Sequence, residues 1–259
     1  MTASVETLLG AHSDYFTLGV ESEERHDALF LRRENAPRVW DANHVRLIRT
    51  PEAQVDALFE HTAEHYSALP FHAFRVDPLT PAGVEARLLQ ADFRCQLDLL
   101  LRCDEEVEHR PCNVRFEPVE SDADWSAWWT LKQRNLAADD LLFLGEEWLS
   151  YVRRKCPPVH YWLARVENEA VGFFSEFTSR GVGLLEDLYV DPPHRGGNVG
   201  SALVAHCADR ARDRGAGPLL IPVNAIDTPK LLYAKLGFRP AIPLRLYHRP
   251  LPDGVAPSG

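Results

Sequence analysis

The chain has 259 residues and an ordinary globular composition, with 45% hydrophobic residues, 15 glycines and 19 prolines. This composition excludes a disordered, collagen-like or disulfide-stapled chain and allows one large or two small domains. Acidic residues exceed Lys and Arg by 38 to 28, so the net charge is −10. Because such a surface repels phosphate backbones and anionic lipids and attracts cations, the sequence predicts no nucleic-acid and no membrane partner.

The cysteines and the N-terminus indicate the compartment. The five cysteines are odd in number and lack the close spacing of zinc ligands, which argues against a disulfide framework and a zinc site. No apolar run approaches the roughly 20 residues of a membrane helix, and the first residues lack a signal-peptide pattern. We therefore expect a cytoplasmic protein without a metal. Only four basic residues are lysine, which suggests GC-rich bacterial coding.

An acidic, proline-containing stretch from Cys103 to Cys112 predicts a linker between two domains. We place an N-terminal domain at residues 1–106 and a C-terminal domain at residues 107–259. In the first domain, apolar and alternating segments predict strands at 28–32, 45–48, 71–76 and 96–101, and helical periodicity predicts helices at 51–66 and 81–90.

The second domain carries stronger signals. Ser121 and Asp124 form a capping-box pattern that opens a Trp-rich helix ending near residue 136. Thr228 and Pro229 open a short helix that Gly237 ends. Further helices are predicted at 146–154 and 199–214, and strands at 114–118, 160–166, 171–177, 183–190, 219–223 and 244–249. This order predicts an α+β or α/β sheet covered by helices.

The stretch from Leu184 to Leu203 is the most informative. It predicts an apolar strand, a proline-containing turn, a glycine-rich loop and an amphipathic helix. The free amides and positive dipole end of such a helix can hold a phosphate or pyrophosphate, and Arg195 adds a cation. A tight strand-to-helix turn without a ligand is the alternative interpretation.

This stretch resembles motif A of the GNAT superfamily of N-acetyltransferases, Arg/Gln-x-x-Gly-x-Gly/Ala, which reads here Arg195-Gly-Gly-Asn-Val-Gly200. The segment Tyr233-Ala-Lys-Leu-Gly-Phe238 is similar to the family's motif B. The resemblance covers roughly residues 113–250 and implies a GNAT-like α+β fold, a mixed and mostly antiparallel sheet flanked by helices. Asn198 replaces the usual glycine; because Asn tolerates a positive φ best among non-glycine residues, we expect the loop to keep its shape.

The resemblance implies that acetyl-CoA is the co-substrate and lies between strands 183–190 and 219–223. Its pyrophosphate would meet the loop amides, and its pantetheine would pair with a free strand edge. Asn224 resembles the family's asparagine after the second of these strands, although its spacing to Tyr233 is longer than expected. The coenzyme residues predicted on this basis are Leu188, Tyr189, Val190, Arg195, Gly196, Gly197, Asn198, Val199, Gly200, Ser201 and Asn224.

Transfer to an amine needs a base for the amine proton and an acid for the departing thiolate. Tyr233 matches the family's tyrosine acid, with a packing role as the alternative. The strand resembles that of polyamine acetyltransferases, which makes Glu186 the first candidate base and Asp187 the second. Strand alternation predicts that Glu186 shares a face with Leu188 and Val190, opposite to Asp187. A salt-bridged strand end and a water chain acting as base are the alternatives.

The resemblance implies a primary amine of a small molecule or peptide as the acceptor, and the acidic surface favours a cationic one. The family's acceptor pocket is usually walled by the first two helices of the domain. Here the spacing of Trp125, Trp128 and Trp129 predicts that they face the core. We expect a monomer or a homodimer.

The N-terminal half contains an echo of motif B. Thr80-Pro81 opens a helix that ends before Phe93, much as Thr228-Pro229 opens one that ends before Phe238. Aligning the two phenylalanines places Leu88 opposite Tyr233, and no Arg-x-x-Gly-x-Gly loop precedes residue 113. We therefore expect a degenerate GNAT-like module that binds no coenzyme, so that the chain consists of two tandem modules.

Two other functions fit parts of the sequence. A catalytically silent acyl-CoA-binding regulatory module would keep the loop but not the chemistry. The segment His61-Thr-Ala-Glu-His65 fits the inverted zinc-peptidase pattern H-x-x-E-H, on a helix where residues i and i+4 share a face. Its third ligand cannot be identified from the sequence.

Overall fold

A computed structural model describes residues 3–138, 141–227 and 229–251. Its helices are α1 (Val5–Thr17), α2 (Val55–His65), α3 (Ala82–Gln90), α4 (Asp122–Ala138), α5 (Gly145–Arg153), α6 (Val199–Asp213) and α7 (Lys230–Lys235). Its strands are β1 (Glu21–Arg25), β2 (Ala28–Arg32), β3 (His44–Arg46), β4 (Phe71–Val76), β5 (Arg94–Cys103), β6 (Arg115–Pro118), β7 (His160–Val166), β8 (Glu169–Ser179), β9 (Val182–Val190), β10 (Leu219–Asn224) and β11 (Arg239–Pro250).

These strands form one continuous sheet in the order β1-β2-β3-β4-β11-β5-β10-β9-β8-β7-β6. Neighbouring strands are antiparallel except for the parallel pairs β3–β4 and β9–β10. The fold is therefore the mixed, mostly antiparallel GNAT-like sheet that the sequence predicted. Among the described residues, no helix combines the length and apolarity needed to cross a bilayer.

Helices cover both faces of the sheet. Consecutive residues such as Phe173 and Phe174, or Leu184 and Leu185, point to opposite faces because side chains alternate along a strand. Phe173 and Leu184 pack in a core with α1, α4 and α5. Phe174 and Leu185 pack with α6 and α7 on the opposite face. On that face, the strands of the N-terminal half of the chain pack with α2 and α3.

The chain order of the elements repeats. In each half an antiparallel three-strand meander is followed by a helix, a strand parallel to the third one, a short helix and a last strand. The series β1, β2, β3, α2, β4, α3, β5 thus corresponds to β7, β8, β9, α6, β10, α7, β11. The amide of Phe93 donates to the Leu88 carbonyl at 3.2 Å, and that of Phe238 donates to the Tyr233 carbonyl at 3.0 Å. The echo in the sequence is therefore a repeat of topology.

The two halves exchange their last strands. β5 pairs with β10, β11 pairs with β4, and the two exchanged strands pair with each other at the centre of the sheet. The predicted linker begins inside β5, because Cys103 still pairs with Leu219, and its residues 104–112 lie between β5 and β6 in neither helix nor strand. The halves therefore share backbone hydrogen bonds across the middle of the molecule.

Two elements were not predicted from the sequence. Helix α1 is buried around most of its circumference, including His12 and Ser13, so it shows no amphipathic stripe. Strand β1 is exposed along its whole length and consists of polar residues, so it shows no alternation. The predicted strand 45–48 ends at Arg46 because Leu47 adopts a left-handed φ of 47°.

Candidate active site

The parallel strands β9 and β10 part near the middle of the sheet. Their register joins Gly183 to Leu219 and Leu184 to Leu220, and no later residues pair. The opening between the diverging strands is a cleft of about 210 Å³. Its lining includes Leu185, Asp187, Leu188, Val223, Asn224 and Tyr233. The cleft lies where the resemblance placed the coenzyme.

The glycine-rich loop follows β9 and leads into α6. Gly196 and Asn198 have positive φ angles of 85° and 63°, and α6 begins immediately afterwards at Val199. The prediction that Asn198 tolerates the conformation of a glycine is confirmed. Its Nδ2 also donates to the Pro111 carbonyl at 3.2 Å, which joins the loop to the linker.

The loop presents a run of free amides. In the part of the chain that the structure describes, the amides of Gly196 to Ser201 donate to no backbone carbonyl, whereas that of Ala202 donates to Asn198 at 2.9 Å. They lie at the positive end of the α6 dipole and can hold an anion. A Cβ on Gly200 would lie 3.1 Å from Leu232 Cδ2, so larger side chains would crowd this position.

Arg195 and Tyr189 stabilise the start of the loop. Arg195 Nε donates to the Val190 carbonyl at 2.9 Å. The Tyr189 side chain is buried on the α4 face, where its hydroxyl donates to Asp191 Oδ1 at 3.2 Å. Arg134 binds the other oxygen of Asp191 at 2.6 Å. Tyr189 can therefore offer only its backbone to a ligand in the cleft.

A second cavity of about 300 Å³ lies on the opposite face of the sheet and draws its lining from both halves of the chain. The N-terminal half contributes Phe16, Trp40, Asp41, Arg75, Gln96 and Asp98, and the C-terminal half contributes Leu141, Leu144, Trp148 and Glu186. Pro222, Val223 and Asn224 line both this cavity and the cleft. The two spaces therefore meet at the end of β10.

A bulge in β9 overturns the predicted strand alternation. Asp187 has a φ of 58°, and the register with β8 shifts so that Glu186 pairs with Ser175 while Tyr189 pairs with Phe173. Because the bulge inserts an extra residue, Glu186 shares the face of Tyr189 instead of that of Leu188. The prediction that Glu186 shares a face with Leu188 and Val190 is wrong.

Glu186 lines the second cavity and is the carboxylate that stays free. Its side chain is 13% exposed, and burial raises its pKa to about 8 even though the nearby Lys155 favours the charged form. Asp187, the second candidate, accepts a hydrogen bond from the buried Lys132 ammonium, which lies 4.6 Å from the Trp148 ring centre. The geometry thus favours Glu186 over Asp187 as a proton acceptor.

His12 faces Glu186 and escaped the sequence prediction. Its Nε2 lies 3.9 Å from Glu186 Oε1, and its Nδ1 accepts from Arg46 Nη2 at 3.1 Å. The neutral imidazole therefore carries its proton on Nε2, towards Glu186. Burial lowers the pKa of His12 well below its usual range, so it stays neutral. The sequence analysis missed His12 because it lies in α1, a helix that was not predicted, and belongs to no motif.

Arg46 occupies in β3 the position that Glu186 occupies in β9. Each residue is followed by one with left-handed φ, Leu47 in the first half and Asp187 in the second. The Arg46 side chain lies 4.6 Å from the Phe16 ring centre, and burial lowers its pKa to about 9. The repeat thus places a basic residue, Arg46, and an acidic one, Glu186, at equivalent positions on either side of His12.

Tyr233 reaches the cleft from the α6 face, opposite to Glu186. The side chain is 5% exposed, lines the cleft and packs edge-on against Phe238 at 6.0 Å between ring centres. Burial raises the pKa of Tyr233, so its hydroxyl keeps its proton at neutral pH. Pro229 occupies the N-cap position of α7 without a capping hydrogen bond from its side chain. Thr228, which with Pro229 was predicted to open this helix, lies outside the described residues.

The remaining predicted site residues fall at the edges of the two spaces. Asn224 borders both of them, and its Oδ1 accepts from the Ile226 amide at 3.0 Å. Trp125 and Trp128 pack in the core as expected, and Trp129 packs against it half-buried. Asp41 and Asp98, which line the second cavity, could not be found from the sequence because they come from separate elements of the other half.

Comparison with known proteins identifies the C-terminal half. Residues 123–238 match the family model described as "Acetyltransferase (GNAT) family". A 55-residue stretch, 21% of this chain, is 44% identical to 29% of streptothricin acetyltransferase from Streptomyces lavendulae. A 60-residue stretch, 23% of this chain, is 37% identical to 40% of glucosamine 6-phosphate N-acetyltransferase from Trypanosoma brucei brucei. The matches thus span less than half the length of either curated relative.

The fold of the whole chain also has a solved counterpart. A GCN5-related N-acetyltransferase from Kribbella flavida superimposes with a TM-score of 0.72 over 95% of this chain and 96% of that one, at 15% identity. At this identity the likeness shows the fold alone, and it extends over both halves. The family match itself covers residues 123–238, so the C-terminal half of the chain contains a domain of the GNAT acetyltransferase family.

Proposed function

We propose that this chain is an acetyl-CoA-dependent N-acetyltransferase whose acceptor is a cationic primary amine of a small molecule. One observation carries the proposal: a cleft lined by Tyr233 meets a cavity lined by Glu186 at the end of β10, and the loop with the free amides follows β9, the strand that lines the cleft. Two substrates can therefore approach one point from opposite faces of the sheet. The curated relatives, by their names, acetylate streptothricin and glucosamine 6-phosphate.

The cleft and the glycine-rich loop that follows β9 fit acetyl-CoA. The free amides of Gly196 to Ser201 suit a pyrophosphate, and the unpaired edge of β9 beyond Leu184 suits the amide groups of pantetheine. When bound, acetyl-CoA supplies the acetyl group as a thioester. Leu188 and Val190 would present their backbone along this edge.

Glu186 and Tyr233 divide the proton transfers. The acceptor ammonium first loses one proton to solvent, which frees the nitrogen lone pair for attack. Glu186, as a carboxylate, takes the second proton when this nitrogen bonds to the acetyl carbon. Tyr233 gives its hydroxyl proton to the sulfur as the carbon–sulfur bond breaks. One proton is accepted and one is donated, and exchange with solvent restores both groups. His12 would hold the Glu186 side chain towards the cavity from 3.9 Å.

The charges of the second cavity support a cationic acceptor. Asp41, Asp98 and Glu186 face one guanidinium, that of Arg75, which lies 3.4 Å from Asp41 and 3.8 Å from Asp98. The lining itself therefore holds more carboxyl groups than cations, while the buried Lys155 and Arg46 also interact with Asp41. Trp40 and Trp148 line the same space and offer aromatic faces, on which ammonium groups bind well.

The N-terminal half would bind no coenzyme. The loop between β3 and α2, which corresponds to the glycine-rich loop, contains Pro51 and Glu52. Proline has no amide proton to give a phosphate, and the Glu52 carboxylate repels one. The Glu52 carboxylate also fills the space that a side chain at position 83 would need. Because this position is Gly83, α3 can pack directly against the loop. Leu88 occupies the position in α3 that corresponds to the proposed acid Tyr233 in α7. We propose that this half serves to wall the acceptor cavity.

Turnover with a panel of amines tests the function. We expect free thiol release from acetyl-CoA with diamines and other dicationic amines, and much less with a phosphorylated amino sugar, because the cavity lining holds more carboxyl groups than cations. Asp98→Asn should raise KM for a diamine about 10-fold, and Asp104→Asn, an exposed change at the end of β5, should not. Coenzyme binding without turnover of any amine would instead indicate a silent acyl-CoA-binding module.

A Gly200→Glu variant tests the coenzyme site. The carboxylate and its bulk should enter the space next to Leu232 and the loop amides, and weaken acetyl-CoA binding by roughly 100-fold or more. Calorimetric titration with acetyl-CoA measures the effect. Gly217→Glu adds the same charge in an open, exposed loop and should bind normally. Equal affinity in two folded variants would place the coenzyme elsewhere.

The pH dependence of kcat/KM tests Glu186. The carboxylate must be charged to accept a proton, so kcat/KM should rise with pH, about 10-fold per unit, and level off near the pKa of about 8. Glu186→Gln should lower kcat by about 10²–10⁴ and remove this inflection. If the inflection survives in Glu186→Gln, another group titrates; Lys155, whose pKa burial lowers to about 7, would then be examined by Lys155→Met.

A Tyr233→Phe variant tests the acid. It removes only the hydroxyl, so kcat should fall by about 10²–10³ while acetyl-CoA affinity stays nearly unchanged. Tyr247→Phe, which removes a hydroxyl bonded to Glu85 in the other half, serves as the control and should keep its turnover. Full activity of Tyr233→Phe would show that this ring only packs against Phe238.

A further inference from the structure

The H-x-x-E-H segment of α2 faces strand β1, where the structure supplies a third polar group. Glu23 Oε2 lies 3.6 Å from His65 Nδ1 and 4.0 Å from His61 Nε2. One nitrogen from each histidine and one oxygen of Glu23 all lie within 4.8 Å of one another. In the described part of the chain, these three side chains form the one such group of potential metal ligands.

The histidines are held in place by the core beneath them. Both rings rest edge-on against Phe30, at 4.8 Å for His61 and 5.4 Å for His65 between ring centres. His61 Nε2 is buried and makes no hydrogen bond within the described residues, so it has no partner other than the nearby carboxylate.

We propose that Glu23, His61 and His65 bind one divalent transition metal, with zinc as the expected ion. Two imidazoles and a carboxylate are a common zinc donor set. Tetrahedral zinc with bonds of about 2.0–2.1 Å separates its ligand atoms by about 3.3 Å, so the side chains need to move only slightly. A water molecule would fill the fourth position.

The site differs from that of an H-x-x-E-H peptidase. Glu64, the acidic residue of that pattern, is exposed and is not one of the three groups. The third ligand comes instead from β1, an edge strand that is exposed along its length and pairs only with β2. A metal there would join this edge strand to α2 and stabilise the end of the sheet, remote from the cleft between β9 and β10.

Zinc titration of tag-free, chelator-stripped protein tests the proposal. We expect one equivalent to bind and to raise the melting temperature. Glu23→Gln and His65→Gln should each weaken binding by about 10- to 100-fold. Glu24→Gln changes the next residue on β1, which points to the other face, and should bind as the native chain does. His109→Gln, an exposed histidine in the linker, serves as the second control.

Cobalt separates this site from the cysteines. Co²⁺ at Glu23, His61 and His65 should give visible ligand-field bands without the intense near-ultraviolet band of thiolate ligation. A thiolate band, zinc binding unchanged in Glu23→Gln and His65→Gln, or no stoichiometric zinc binding by the native chain would each overturn the proposal. Far-ultraviolet circular dichroism of each variant shows that a loss of binding is not a loss of folding.

Discussion

The parting of two parallel strands determines the rest of the site. β9 and β10 pair through Leu184 and Leu220 and then diverge, so the hydrogen-bonding edge of β9 beyond that point is left without a strand partner. The gap opens the sheet to both faces at once. Glu186, just before the bulge at Asp187, lies on one face with Leu184, and α7 brings Tyr233 from the other. A sheet with full pairing here would separate these two groups by a continuous backbone layer.

Charge buried beside this opening comes from both halves. Lys155 lies within an aromatic cage, with its ammonium 3.5 Å from the Tyr15 ring centre, and Arg46 is paired with His12 and His44. Burial moves the pKa of Lys155 and Glu186 towards each other, to about 7 and about 8, because it penalises both charged forms. The N-terminal half thereby affects the electrostatics of a domain with which it shares little sequence.

The predictable features were local ones. β4 and β7 were predicted at their observed bounds, and the loop could be recognised because Gly196, Asn198 and Gly200 each meet a backbone or steric requirement in their own segment. The acceptor side was missed because Asp41, Asp98 and His12 meet only through the shared sheet. The bulge in β9 leaves no trace in the alternation of apolar and polar residues. The sequence therefore could not predict which neighbours share a face of the sheet with Glu186. β1 and Glu23 were missed because an exposed polar strand lacks any hydrophobic pattern.

The strand exchange has a consequence for how the chain is made. When the ribosome has completed β5, β4 and β5 each still lack the neighbour that β11 provides, and among the described strands β11 is made last. The nascent first half therefore carries open strand edges throughout synthesis of the second, a state prone to wrong pairing with other chains. Truncation before β11 would leave those edges open permanently. The order of synthesis thus makes the emergence of β11 the step that closes the sheet.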